Sequence, residues 1–231
     1  PIYLFAPEQP DWNWDNREVE EDFLKTLRFW ADRGVDGFRI DVAHALKKDL
    51  KRIYTAKKNN VDGFKIPQNG TDVLFDRNEV HEVYKTWRKL FNEYNPPKFA
   101  VAEAYVKAKR RMLYARPDEL GQAFNFDLLG AYYGAKDFKR IITENLKLAK
   151  SEGSSSTWVF NNHDRVRHTT RFGLPKKVDL RTWLLADGKS HKVDMELGLQ
   201  RARAATLMLL ALPGCTYLYQ GEELGLFEVE D

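Results

Sequence analysis

Three places in this sequence combine residue types and spacing that could do chemistry. The first is Arg39 with Asp41, two residues apart near the end of the run Val35-Asp36-Gly37-Phe38-Arg39-Ile40-Asp41-Val42. Strand residues at i and i+2 share a face, so the cation can hold the carboxylate ionised. A structural ion pair at a strand end fits the same two residues. The second is Glu103, at the end of the apolar run Phe99-Ala100-Val101-Ala102. Partial desolvation among Val101, Ala102, Ala104 and Tyr105 would raise its proton affinity, which suits a general acid. A glutamate capping the next helix is the competing reading. The third is Asn162-His163-Asp164, after Thr157-Trp158-Val159-Phe160-Asn161. A His beside an Asp there can bind sugar hydroxyls, ligate a metal or cap a helix. Metal is the weakest of these, because the chain has only five His and no second one at helical spacing.

These groups need elements to hold them. Arg17 to Arg33 carries Phe23, Leu24, Leu27, Phe29 and Trp30 at spacings mainly of three and four. That is an amphipathic helix, with Asp15-Asn16 as its cap and Gly34 as its stop. Further helices are expected over Glu79 to Tyr94, Ala135 to Lys150 and Asp194 to Leu212. Strands are expected over Val35 to Val42, Lys98 to Glu103, Ala123 to Asp127, Thr157 to Asn161 and Cys215 to Tyr219. Thr55 to Asp76 and Arg165 to Lys192 read as long excursions in which the helical period fades.

Strands alternating with helices imply an α/β fold with parallel pairing and right-handed crossovers. No glycine-rich phosphate loop comes after any strand, which weakens an open nucleotide-binding sheet. The strands instead end on Asp41, Glu103, Asn125 with Asp127, Asn162-His163-Asp164, and Gln220-Gly221-Glu222-Glu223. Polar groups at the carboxyl ends of successive strands mark the active face of a (β/α)8 TIM barrel. Five strands cannot close a barrel of eight, so the reading is a partial barrel. Three carboxylates on three of its strands would converge on one mouth, and paired carboxylates there fit glycoside hydrolysis.

Composition narrows the field. With 37 Lys+Arg against 34 Asp+Glu over 231 residues, the formal charge of +3 argues against a nucleic-acid partner. Hydrophobic residues at 43% and aromatics at 13% exclude intrinsic disorder. The single Cys215 excludes a disulfide scaffold. The longest apolar stretch, Ala204 to Pro213, is about half of what a membrane span needs. The start, Pro1-Ile2-Tyr3-Leu4, shows no leader, and both ends read as cuts through a longer protein. A cytoplasmic location is expected, with a signal peptide upstream left open.

Three segments carry a resemblance: Gly37-Phe38-Arg39-Ile40-Asp41-Val42-Ala43-His44, Val101-Ala102-Glu103-Ala104 and Phe160-Asn161-Asn162-His163-Asp164. They resemble, in order, three signature regions of glycoside hydrolase family 13, the α-amylase family. Gln9-Pro10-Asp11-Trp12-Asn13 resembles the Gln-Pro-Asp-Leu-Asn signature of its oligo-1,6-glucosidase-like group, with Trp12 in place of Leu. Tyr217 to Gly225 resembles that group's last barrel strand and the loop after it, and the likeness is nearest to bacterial, actinobacterial-type α-glucosidases. The resemblance implies Asp41 as nucleophile, Glu103 as general acid/base and Asp164 as transition-state stabiliser. It implies that Arg39 positions the nucleophile and that His163 and Arg167 bind substrate. Residues 1–16 would end the inserted B domain, and 17–231 would be strands four to eight of the catalytic barrel. The family's first signature region, its first three strands and its C-terminal β-sandwich are not in this sequence.

The implied activity is retaining hydrolysis of terminal α-linked glucose from maltose- or isomaltose-type oligosaccharides, without cofactor or metal. The 231 residues alone are expected to be inactive. Val42, directly after the nucleophile, accompanies tolerance of α-1,6 links in this group. A trehalose synthase-like isomerase or a glucosyltransferase on the same scaffold is the main alternative. A non-catalytic transporter-partner ectodomain is a lesser one, since those lack the full catalytic set and carry a membrane span.

Overall fold

A computed structural model of the chain describes residues 2–55 and 69–229. Most of the first expected excursion, residues 56–68, lies outside them. The chain divides into two compact units, Pro1–Ala123 with Glu152–Ser154, and Phe124–Ser151 with Ser155–Asp231. Both are α/β.

In the first unit, α1 spans Arg17–Ala31. Asn16 caps it by accepting the Glu18 N–H at 3.1 Å, one of the donors a helix start leaves unpaired. After it come β1 (Gly37–Ile40), a 3-10 turn (Ala43–Ala45), α2 (Leu50–Thr55), α3 (Val80–Phe91), β2 (Phe99–Ala102), α4 (Ala108–Tyr114) and β3 (Gly121–Ala123). The strands form one parallel sheet in the order β1-β2-β3. Gly37 lies opposite Phe99 and Ile40 opposite Ala102, while Ala100 lies opposite Gly121. The central strand buries Ala100, Val101 and Ala102, the continuous apolar run that a strand inside an α/β unit requires.

Aromatic side chains fill the layer beside the sheet. Trp14 packs on Phe23 with ring centroids 4.5 Å apart, and Phe38 stacks on Phe91 at 5.6 Å. Arg88 donates to the carbonyls of Lys98, Glu119 and Leu120 at 2.9, 2.6 and 2.8 Å. Those acceptors sit where the chain enters β2 and β3, so one side chain ties both strand starts together, and the Leu120 carbonyl also accepts the Ala100 N–H at 3.2 Å.

The second unit contains α5 (Phe126–Leu129), α6 (Ala135–Ser151), β4 (Thr157–Val159), α7 (His168–Gly173), α8 (Leu180–Leu185), α9 (Met195–Leu210) and β5 (Cys215–Tyr217). β4 and β5 pair in parallel, Thr157 opposite Cys215 and Val159 opposite Tyr217. Its core joins Phe138 and Ile141 to Trp158, Phe160, Phe172 and Leu209. Where α7 meets α9 at Gly173 and Gly198 there is no room for a side chain. A Cβ at Gly198 would stand 2.4 Å from the Thr169 carbonyl oxygen, and one at Gly173 the same distance from that of Asp194.

Two expectations need correction. Ala123 to Asp127 is not a strand: β3 ends at Ala123, and Asn125 caps α5 by accepting the Asp127 N–H at 3.0 Å. The alternating pattern there imitates a strand, but the Asn side chain offers the backbone a helical alternative. Arg165 to Lys192 is not a featureless excursion. It holds α7 and α8, the latter capped by Asp179, which accepts the Thr182 N–H at 2.7 Å. Both helices are too short to show a period, and a small cluster of Val166, Leu174, Val178 and Trp183 holds them. Among the described residues, no helix is long and apolar enough to cross a membrane.

The backbone contact at Gly198 predicts an overpacking cost. Gly198→Ala should destabilise the intact protein by about 1–3 kcal/mol. Gly130→Ala, where a Cβ meets only the Phe126 carbonyl at 3.5 Å, should be close to neutral. Urea melts of the two variants check this, and equal midpoints would refute it.

Candidate active site

The first unit brings Arg39, Asp41 and Glu103 together. Arg39 points its fork at both carboxylates, with Nη1 2.6 Å from Asp41 Oδ1 and Nη2 2.8 Å from Glu103 Oε2. The i, i+2 expectation for Arg39 and Asp41 is met. The register does the rest. Ile40 pairs with Ala102, so the next residues, Asp41 and Glu103, emerge side by side at the carboxyl ends of β1 and β2.

Their surroundings differ. Asp41 is exposed, whereas Glu103 is buried. Burial is the main cause that pushes the Glu103 carboxyl above its ordinary value, and a hydrogen bond with Asp41 adds to it. The Val42 N–H, at 3.2 Å from Glu103 Oε2, and the Arg39 guanidinium pull the other way without cancelling it. The result is one exposed carboxylate beside a cation and one buried carboxyl that keeps its proton to higher pH. Environments that separate two carboxyls in this way assign them different roles in acid–base chemistry. Glu103 does not cap α4, whose N-cap residue is Lys107.

The chain turns sharply between the two groups. Val42 adopts a left-handed conformation at φ 43°, which ends β1. A β-branched residue rarely does this. The turn is held by hydrogen bonds. The Ala43 N–H donates to the Glu103 carbonyl at 2.9 Å, the Glu103 N–H to the Ile40 carbonyl at 2.9 Å, and the Tyr84 hydroxyl to the Ala43 carbonyl.

The second unit carries His163, Asp164 and Arg167 on the segment between β4 and α7. His163 Nε2 lies 3.5 Å from Asp164 Oδ1, and both side chains are open to solvent. Asn162 shapes the bend by accepting the Asp164 N–H at 3.0 Å. Asp164 does not cap α7, whose N-cap residue is Arg167. Arg167 reaches the segment after β5: Nη1 donates to the Gln220 carbonyl at 2.8 Å, and the guanidinium sits 4.8 Å from the Tyr219 ring centre. Among the described residues, no group of three or more His, Cys, Asp or Glu is placed to hold a metal ion.

Beneath this segment lies a buried polar set that the sequence did not reveal: Asn161, His168, Arg171 and Glu222. Glu222 belongs to the Gln220–Glu223 run noted after the last strand, but nothing in its residue type marked it as buried. Nothing marked Arg171 either, since arginine is ordinarily exposed.

Known proteins give a consistent picture. Residues 2–230 match the model of the α-amylase catalytic domain. An oligo-1,6-glucosidase of Bacillus cereus is 29% identical over 242 residues, covering 99% of this chain and 39% of the relative. An α-glucosidase of Apis mellifera is 28% identical over 235 residues, covering 97% and 36%. The chain thus spans well under half the length of these curated relatives. Among solved structures, an α-glucosyl transfer enzyme matches with a TM-score of 0.73 at 26% identity, covering 98% of this chain and 40% of that one. A trehalose-6-phosphate hydrolase of Bacillus licheniformis matches with 0.70 at 26% identity, covering 98% and 38%.

The electrostatics predict a titration. Glu103 should deprotonate above the ordinary 4.5, and Arg39→Met should move it higher still, because a cation that favours the ionised form is removed. The folded state then holds this proton more tightly than the unfolded chain. The group's contribution to stability therefore declines as pH rises through the interval above 4.5. Carbon-13 NMR of the labelled carboxyl measures both effects, and a wild-type midpoint at or below the ordinary value would count against the burial argument.

Proposed function

The chain belongs to the α-amylase catalytic-domain family, and from that premise we propose that it carries the reacting residues of a retaining α-glucosidase. Residues 17–231 are then strands four to eight of a (β/α)8 barrel with their helices, and residues 1–16 end the inserted domain. The observation that carries the reading is the shared guanidinium. Arg39 holds an exposed Asp41 and a buried, proton-retaining Glu103 against each other. Their mutual hydrogen bond favours the close, retaining arrangement over the wider one that leaves room for a water.

Those environments suit the following mechanism. Asp41, held by Arg39, attacks the anomeric carbon of a terminal α-linked glucose, while Glu103 delivers its proton to the leaving oxygen. Glu103, now ionised, takes a proton from water, which cleaves the glucosyl-enzyme and restores Asp41. Asp164 and His163 contact sugar hydroxyls that shift as the ring flattens, and Arg167 contributes to substrate binding. No step requires a metal or cofactor. The substrates are maltose- and isomaltose-type oligosaccharides, in keeping with relatives named oligo-1,6-glucosidase and α-glucosidase.

A second reading is transfer of the glucosyl group to a sugar, as in an isomerase or glucosyltransferase. The likeness to an α-glucosyl transfer enzyme supports it. The two readings share every step up to the glucosyl-enzyme and differ in the acceptor. Product analysis on maltose separates them: glucose alone marks hydrolysis, and a new disaccharide marks transfer.

In the full-length protein, Asp41→Asn should abolish turnover of an aryl α-glucoside, and Glu103→Gln should lower it by about 10²–10⁴-fold. Near-normal kcat in either variant would remove that residue from its role. Val42→Ala should lower the isomaltose-to-maltose preference, because it replaces a stiff, branched wall with a small one. An unchanged ratio would reduce Val42 to packing.

A further inference from the structure

We infer that Arg171, which is buried and reaches no solvent-facing group of the site, is a positioning residue that fixes the loop carrying His163 and Asp164. Its guanidinium directs its donors to three backbone carbonyls. Nη2 donates to Phe160 at 2.8 Å, Nε to Val166 at 2.9 Å and Nη1 to Ala131 at 3.0 Å. Phe160 and Val166 are the two ends of the loop that carries Asn162, His163 and Asp164. One planar group therefore sets the distance between the loop's ends. A guanidinium fork keeps its donors in a fixed relation, which a lysine ammonium cannot.

The energetics favour a dedicated role. Arg171 is only 7% exposed, and burial pushes its pKa down to about 10. A buried cation is costly unless its donors are paired. An apolar residue could pack beside Phe160 and Phe172 without that cost, but it could not tie two carbonyls together.

A second chain of bonds locks the same loop from its first residue. The Asn161 side chain accepts the His168 N–H at 2.6 Å and donates to His168 Nδ1 at 2.7 Å. Burial and the neighbouring Arg171 push the imidazole down to about 3, so the ring is neutral and Nδ1 accepts. The ring proton is then on Nε2, which faces the Thr206 hydroxyl at 3.2 Å. That hydroxyl lies 3.4 Å from Glu222 Oε1, and Glu222 Oε2 accepts the Tyr219 N–H at 3.1 Å. The loop after β4 is thereby tied to the segment after β5. Through α7, both locks rest on the close contact that Gly198 allows.

The inference rests on the role proposed for Asp164, and its test separates the two. In the full-length enzyme, Arg171→Lys, Asp164→Asn and the double variant are assayed on an aryl α-glucoside. Working sites are counted with a fluorinated glucosyl fluoride that arrests the glucosyl-enzyme. Arg171→Lys should melt cooperatively and titrate fully, yet lose about 10²-fold in kcat with KM little changed, the cost of a small misplacement. The double variant should lose clearly less than the product of the two single losses, because Arg171→Lys acts in large part through the placement of Asp164. A kcat per working site equal to wild type, or fully additive losses in the double variant, would overturn the inference. If Arg171→Lys does not fold, Arg171→Gln, which keeps one amide donor, takes its place. Failure of both would make Arg171 a folding residue only and overturn the inference. Wild-type turnover in Asp164→Asn would instead bring down the reading of Asp164, and the inference with it.

Discussion

The acidic end of the first unit depends on the parallel register between β1 and β2. With Ile40 opposite Ala102, the two carboxyls one residue further on have to emerge side by side. Two adjacent carboxylates repel, and each disfavours ionisation of the other. Arg39 makes the arrangement tolerable by touching both. A slip of one residue in either strand would turn one carboxyl to the other face and leave Arg39 with a single partner. The apolar runs that flank the pair are therefore part of the chemistry, because burial of Ala100, Val101 and Ala102 is what holds the register.

Much of this was legible in the sequence. α1, α3 and α6 arise from a helical period sustained over 12 to 17 residues, α9 from a run of strong helix formers, and their observed ends fall within a few positions of the expected ones. β1, β2 and β4 lie within the short runs expected for them, with Asp41, Glu103 and Asn162-His163-Asp164 after them, whereas β3 lies at Gly121–Ala123, ahead of the strand expected over Ala123 to Asp127. The pairing of Arg39 with Asp41 comes from the period of two. The unreadable part is whatever depends on a partner distant in sequence. That Arg39 also reaches Glu103 requires a register between two strands far apart along the chain. The helical turn at Phe126–Leu129 hides in an alternating pattern, and only the Asn125 side chain decides the matter. Arg171 looks like any surface arginine until its three carbonyl acceptors are seen.

The two arginines solve opposite problems. Arg39 is partly exposed and balances charge beside two carboxyls, one of which holds its proton above the ordinary range. Solvent there screens the pair, so the arrangement can tolerate a carboxyl that gains and loses a proton. Arg171 is buried, and its donors go to neutral carbonyls, so its hydrogen bonds do not depend on the protonation of the acceptors. The first is suited to chemistry and the second to geometry. That division explains why one stands at the carboxyl end of a strand and the other behind a loop.

Val42 shows what holding such a site costs. A left-handed β-branched residue is strained by about 1–3 kcal/mol and persists only where its surroundings over-determine it. Here they do. The Val42 N–H meets the Glu103 carboxyl, the Ala43 N–H meets the Glu103 carbonyl, and the Ala45 N–H returns to the Val42 carbonyl at 2.9 Å. A relaxed extended residue at this position would continue β1 and carry the backbone away from Glu103. The turn therefore does two things at once: it stops the strand directly after Asp41, and it aims a backbone donor at the buried carboxyl. Because the donor is backbone, no choice of side chain at position 42 removes it short of proline, whose fixed φ could not adopt the turn. The strain is thus tied to the path of the chain, and position 42 can vary its side chain to shape the wall beside Asp41 while the hydrogen bond to Glu103 stays in place.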